Sequence, residues 1–245
     1  MEKMFGGLSI FRSPARRQVR RTRGLQGVWG VNLIQTWRIT VKINNWNRLR
    51  IMLLASTVCA IGAARGDITE SERERALKYL AETRNGVIDT VKGLSEAQLN
   101  FKPAPDRWSV AETLEHIALT EGLFVQSIRP QLENSPASPP KNNPKDVDDM
   151  ILTKVPDRST KFQAPPPLVP TGRWTSAVTL EHFLANRDQT ISFLKSSSDL
   201  REHRVDHPVL GSLDGYEWLL TIAAHCDRHT KQILEIKADP NFPTR

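Results

Sequence analysis

Histidine is the residue type with the most to offer in this sequence. His225 and His229 lie four residues apart in the segment that opens at Asp214 and runs to Ile236. On a helix, that spacing sets the two side chains about 40° apart around the axis and about 6 Å apart along it, so both reach one ion. They fall on the stripe of Trp218, Ile222 and Ile233, which must face a protein interior. A histidine there needs a partner, because a polar group buried unsatisfied costs several kcal/mol. His116 is the third candidate, beside the apolar run Val110, Leu114, Ile117, Phe124 and Ile128. Three imidazoles with one or more open positions form a catalytic pattern, since a structural zinc site normally uses four protein ligands.

Neutral imidazole suits zinc, nickel, iron or copper. One divalent metal ion is therefore expected at His116, His225 and His229, with zinc, nickel or iron preferred. Glu121 and Asp227 are the carboxylates expected to orient a ligand from outside the coordination shell. The competing reading is three core histidines, hydrogen-bonded to each other or to Glu121 and Asp227. His182, beside Glu181 and off its stripe, reads as solvated surface. His203 and His207 read as exposed or turn-forming, and either could cap a pocket. Cys226 reads as a small buried residue rather than a nucleophile, and Trp108, Trp174 and Trp218 as core or helix-start packing. No general base is evident.

Four amphipathic segments must position these residues. The first starts at Thr69, which forms a capping box with Glu72, and repeats apolar residues at Leu77, Leu80, Val87, Val91 and Leu94. The second opens with the Ser109 and Glu112 box directly after Trp108 and carries His116. A third runs from about Ser176 to Lys195, with Leu180, Phe183, Leu184, Ile191 and Leu194 on its apolar face. The last begins with Asp214 and Glu217 in capping relation. Between the second and third, residues 134–170 hold nine prolines, which predicts a long crossover loop with one short turn around Val147 to Leu152. Such a length suits a connection between helices that run in the same direction. Residues Ser196 to Leu213 read as a polar loop, and no β-type alternation persists. The expected fold is all-α, an antiparallel four-helix bundle over residues 67–245 with a proline-rich crossover between helices 2 and 3.

The charge is unevenly spread. Residues 1–66 carry 12 Lys/Arg and 1 Asp/Glu, whereas residues 67–245 carry 22 Lys/Arg and 26 Asp/Glu. The basic balance belongs to the leader; the bundle is mildly acidic and has no Lys/Arg cluster interleaved with aromatics, which argues against nucleic acid as a partner. In the leader, Arg48 and Arg50 precede the apolar run Ile51 to Ile61, followed by Gly62, Ala63 and Ala64. Residues 48–66 therefore resemble a secretory signal peptide. The run is too short for a comfortable span, which needs about 20 apolar residues, so an uncleaved membrane anchor is the weaker alternative to export into a periplasm or medium. The Arg-rich residues 1–47 show no pattern, and translation is expected to begin later, at Val41 read as an alternative start codon. Beyond the leader's Cys59, Cys226 is the only cysteine, which excludes a disulfide framework in the bundle.

Three stretches together resemble the DinB-like superfamily of metal-binding four-helix bundles. They are GLSEAQLNFKPAPDRWSVAETLEHIALTE (Gly93 to Glu121), HPVLGSLDGYEWLLTIAAHCDRHTKQILEI (His207 to Ile236) and the closing DPNFP (Asp239 to Pro243). A Trp-Ser helix opening followed by a histidine, then H-x-x-x-H followed by Gln on the final helix, is the specific part. The resemblance implies that His116, His225 and His229 are the first, second and third metal ligands. It implies either a metal-dependent hydrolase or a thiol-dependent S-transferase. Export disfavours the second, because low-molecular-weight thiols are mainly intracellular. The leading expectation is hydrolysis of a small-molecule substrate through a water acidified by the metal. The alternatives are S-transfer and a non-enzymatic envelope binding module with a structural metal. A homodimer is left open.

Overall fold

A computed structural model describes residues 67–140 and 142–244. The leader and the signal-peptide-like segment lie outside the described residues. Helix α1 (Glu70–Val91) starts where Thr69 accepts from the Glu72 amide while the Glu72 carboxylate takes the Thr69 amide, and it buries Ala76, Leu80, Thr83, Val87 and Thr90 as one stripe. A short α2 (Glu96–Asn100) leads to α3 (Val110–Leu123), capped by Ser109 and Glu112 in the same reciprocal way. The chain continues through a widened π-helical turn, Phe124–Ile128, into α4 (Arg129–Asn134). Pro130 lies just past that turn and has no N–H to return to the preceding turn, which removes one ordinary helical bond there.

The crossover is more ordered than its prolines suggest. Asn143 caps an eleven-residue helix, α5 (Pro144–Lys154), with Pro144 in the first turn, where its missing N–H does no harm. The expected short turn is thus a helix of three turns, held by Ile151 in the core and by Val147, Met150 and Leu152 beside it. A 3₁₀ turn at Pro166–Leu168 follows, then α6 (Ser176–Ser196), capped by Thr175. The expected polar loop after α6 contains a hairpin, β1 (Arg204–His207) with β2 (Gly211–Asp214), paired antiparallel from Arg204 with Asp214 to His207 with Gly211. Two four-residue strands are too short for alternation to register in the sequence. Gly211, at φ +79°, adopts the left-handed conformation that closes the turn. Helix α7 (Gly215–Lys237) ends the bundle, capped by Asp214 and Glu217.

Helices α1, α3, α6 and α7 form a four-helix bundle in two parallel pairs. Along α1 and α7 the contacts run in the same order, Glu72 with Tyr216, Thr83 with Cys226 and Thr90 with Lys237. Along α3 and α6 they also run together, Glu121 with Arg187, then Phe124 with Phe193. Between α1 and α6 the order reverses, Arg73 meeting Leu194 and Thr83 meeting Arg187. The bundle is therefore antiparallel between pairs and parallel within them, and the crossover exists because α3 and α6 point the same way. Among the described residues no helix is long and apolar enough to cross a membrane.

Candidate metal centre

Three rings meet between α3 and α7. The ring centroids of His116 and His225 are 5.0 Å apart, those of His116 and His229 4.5 Å, and those of His225 and His229 4.4 Å. One ligand atom from each lies within 4.8 Å of the other two, and the Nε2 atoms of His116 and His225 are 3.1 Å apart. Nitrogens bound to one tetrahedral ion at bond lengths of 2.0–2.1 Å sit about 3.4 Å from each other. The cluster can hold a divalent metal after small side-chain shifts.

Outer hydrogen bonds fix the tautomer of two of the three rings. His116 Nδ1 lies 2.8 Å from the Leu168 carbonyl. A carbonyl only accepts, so the proton is on Nδ1 and Nε2 presents a lone pair. His229 Nδ1 lies 2.9 Å from Gln232 Oε1, which fixes that ring in the same sense. Burial lowers the pKa of His116 below the ordinary imidazole value. Burial, then repulsion from the neighbouring imidazoles, holds His225 well below it, and His229 likewise. The rings are neutral near pH 7, the state that metal coordination requires. Trp108 packs over the cluster, its ring 4.8 Å from His116 and 6.4 Å from His229.

The two carboxylates expected outside the ligands go elsewhere. Glu121 holds Arg187 through two bonds of 2.9 and 2.8 Å and accepts from Thr190 at 2.7 Å, all inside the core. Asp227 accepts from Lys231 and from the Tyr79 hydroxyl. The groups that hydrogen-bond the imidazoles are the Leu168 carbonyl and Gln232. Gln232 was legible as the residue one turn past His229; a backbone carbonyl from the crossover carried no signal. Glu115, buried next to His116, was also unmarked. It accepts from the amides of Thr171 and Gly172 and from Arg173, fastening the end of the crossover to α3.

Of the other histidines, His182 is exposed against Trp174. His203 bonds the Ser135 carbonyl, away from the cluster. His207 forms the hairpin turn, its Nδ1 accepting from the amides of Val209 and Leu210, and it stacks on Trp218. Cys226 is buried, and burial pushes its thiol up to about 11, which leaves it a core residue rather than a nucleophile.

Fold and cluster together define a helical-bundle protein with a three-imidazole centre capable of holding a divalent metal. The DinB superfamily model matches residues 79–233, and the chain belongs to that superfamily. It is similar to YuaE of Bacillus subtilis strain 168, an uncharacterized protein, at 28% identity over 158 residues, covering 64% of this chain and 93% of that protein. Among solved structures it is similar to YfiT from Bacillus subtilis, described as a probable metal-dependent hydrolase with an unusual four-helix bundle topology. That alignment has a TM-score of 0.49 at 16% identity and covers 69% of this chain and 88% of that one.

Proposed function

We propose that the protein is a metal-dependent hydrolase acting on a small molecule, with His116, His225 and His229 as its three metal ligands. The observation that carries this reading is the convergence of three neutral rings on one point, two of them with their protons tied on the outward side. When bound, a divalent ion would supply Lewis acidity, acidifying a water and polarising a carbonyl or phosphoryl oxygen of the substrate. The chain's own residues do the rest. The Leu168 carbonyl and Gln232 hold His116 and His229 in the ligand tautomer, and Trp108 packs against the His116 ring. With three protein ligands, at least one position stays open for water or substrate.

Elemental analysis of the purified full chain should find close to one equivalent of a transition metal. His225→Ala and His229→Ala should each lose it. Unchanged stoichiometry in both variants would overturn the ligand set. A screen of ester, amide and phosphate substrates with the loaded protein then tests hydrolysis, and activity that survives complete metal removal would refute the mechanism.

A further inference from the structure

The crossover touches the histidine cluster at two places, one on each side. Leu168 accepts from His116. On the other side Arg158, just past α5, reaches α7: its Nε and Nη2 bind the two oxygens of Glu235 at 2.6 and 2.7 Å, and its Nη1 donates to Gln232 Oε1 at 3.2 Å. Arg228, on α7 beside His229, steadies the same stretch by donating to the carbonyls of Val155, Asp157 and Thr160. Between these anchors, exposed Lys161 and Phe162 begin the span that leads to Leu168.

The contact of Arg158 with Gln232 has a chemical consequence. A side-chain amide has an accepting end and a donating end, whereas a guanidinium only donates. Arg158 therefore requires the oxygen of Gln232 to face it. The same oxygen receives the Nδ1 proton of His229, which leaves the Nε2 lone pair directed at His116 and His225. A reversed amide would donate to Nδ1 and drive the proton onto Nε2, where it would compete with a metal.

We propose that Arg158 is a positioning residue for the metal centre. Carried in by the crossover, it sets the Gln232 amide and through it the ligand tautomer of His229, so metal binding and docking of the crossover reinforce each other. The proposal rests on the metal reading above. Loss of an outer partner of a metal-bound histidine costs about 10–100-fold in affinity, and the coupling must act in both directions.

The test is competition for Zn²⁺ between the full chain and a chromophoric chelator, alongside limited trypsin cleavage followed at Lys161. Arg158→Ala should bind Zn²⁺ several-fold and at most about 10-fold more weakly, because it removes the partner of Gln232 and leaves Gln232 on His229. In a Gln232→Glu background, Arg158→Ala should cost little further affinity, because a carboxylate has no donating end to present; a merely structural role for Arg158 predicts the same fold-loss in both backgrounds. In the wild type, Zn²⁺ should slow cleavage at Lys161 several-fold, and Arg158→Ala should lose most of that protection. Wild-type affinity in Arg158→Ala, or an equal fold-loss on Arg158→Ala in the wild-type and Gln232→Glu backgrounds, overturns the proposal while leaving the ligand set intact. If the wild type itself takes up no Zn²⁺, Ni²⁺ or Fe²⁺, both this proposal and the metal reading fail.

Discussion

Two sets of polar side chains are buried along α7, on opposite terms. At its start, Asp214 and Glu217 meet Arg201 and Arg204, with Asp148 of α5 completing the group. The buried pair of Glu121 and Arg187 in the core follows the same rule, and Arg187 spends its remaining donors on the Leu80 carbonyl and the Thr83 hydroxyl. In these sets charge is answered by charge. Three turns further along α7, His225 and His229 join His116 with no carboxylate among their hydrogen-bond partners, and the one bond within the set links His116 to His225. A closed set holds the fold together. An open set, in which two of the three rings have their protons tied on the outside and turn lone pairs inward, is built to receive something.

The sharpest contrast comes from breaking one member of each. Arg187→Ala leaves the Glu121 carboxylate buried without its partner, and denaturant unfolding should show a loss of about 3–5 kcal/mol. His116→Ala should abolish stoichiometric metal uptake while lowering the stability of the chelator-treated protein by about 1–3 kcal/mol, less than Arg187→Ala, since it strands the Leu168 carbonyl but no charge. A loss in His116→Ala as large as in Arg187→Ala would mean that the cluster is a structural core and would erase the distinction.

The pH dependence of the metal-free protein should carry opposite signs for the two sets. Burial raises Asp214, and burial and then the Asp214 charge push Glu217 up to about 7, against the pull of Arg204 and Arg201. Glu217 Oε1 is buried without a hydrogen-bond partner and lies 3.9 Å from the Arg201 guanidinium. The folded state therefore binds more protons than the unfolded one between the ordinary glutamate value and about 7, and this group's contribution to stability falls as pH rises through that window. His225 and His229 are depressed, so their contribution is present above the ordinary imidazole value and is lost as pH falls below it. Glu217→Gln should leave mainly the acid-side loss in chemical denaturation, and His225→Ala mainly the loss on raising pH. Identical profiles for wild type and Glu217→Gln would remove the first half of this account.

The smallest expected effect separates position from packing. Ser109→Ala removes the cap of the helix that carries His116 and should cost about 1 kcal/mol, with metal affinity unchanged, because α3 remains clamped to α6 through Glu121 and Arg187. A fall in affinity beyond a few-fold would show that helix fraying reaches the cluster.

Much of this was legible along the chain, and the reason is local geometry. The capping boxes at Thr69, Ser109 and Asp214 mark helix starts that the structure reproduces, because caps are satisfied within four residues. The spacing of His225 and His229 required only a helix. α5 was foreseen only as a short turn around Val147 to Leu152, because prolines hid a helix whose first residue is a proline, and the hairpin was missed because each strand is four residues long.

What the sequence alone determined is the four bundle helices, the apolar face of each and the placement of three histidines on or beside those faces, since all of these follow from periodicity and short-range hydrogen bonds. Tertiary structure alone decided the pairing of α3 with α6 and of α1 with α7, the diversion of Glu121 to Arg187, and the delivery of the Leu168 carbonyl to His116 and of Arg158 to Gln232. Those contacts join residues 52 to 147 positions apart. No local pattern encodes such a meeting; it exists only once the crossover has been laid across the assembled bundle.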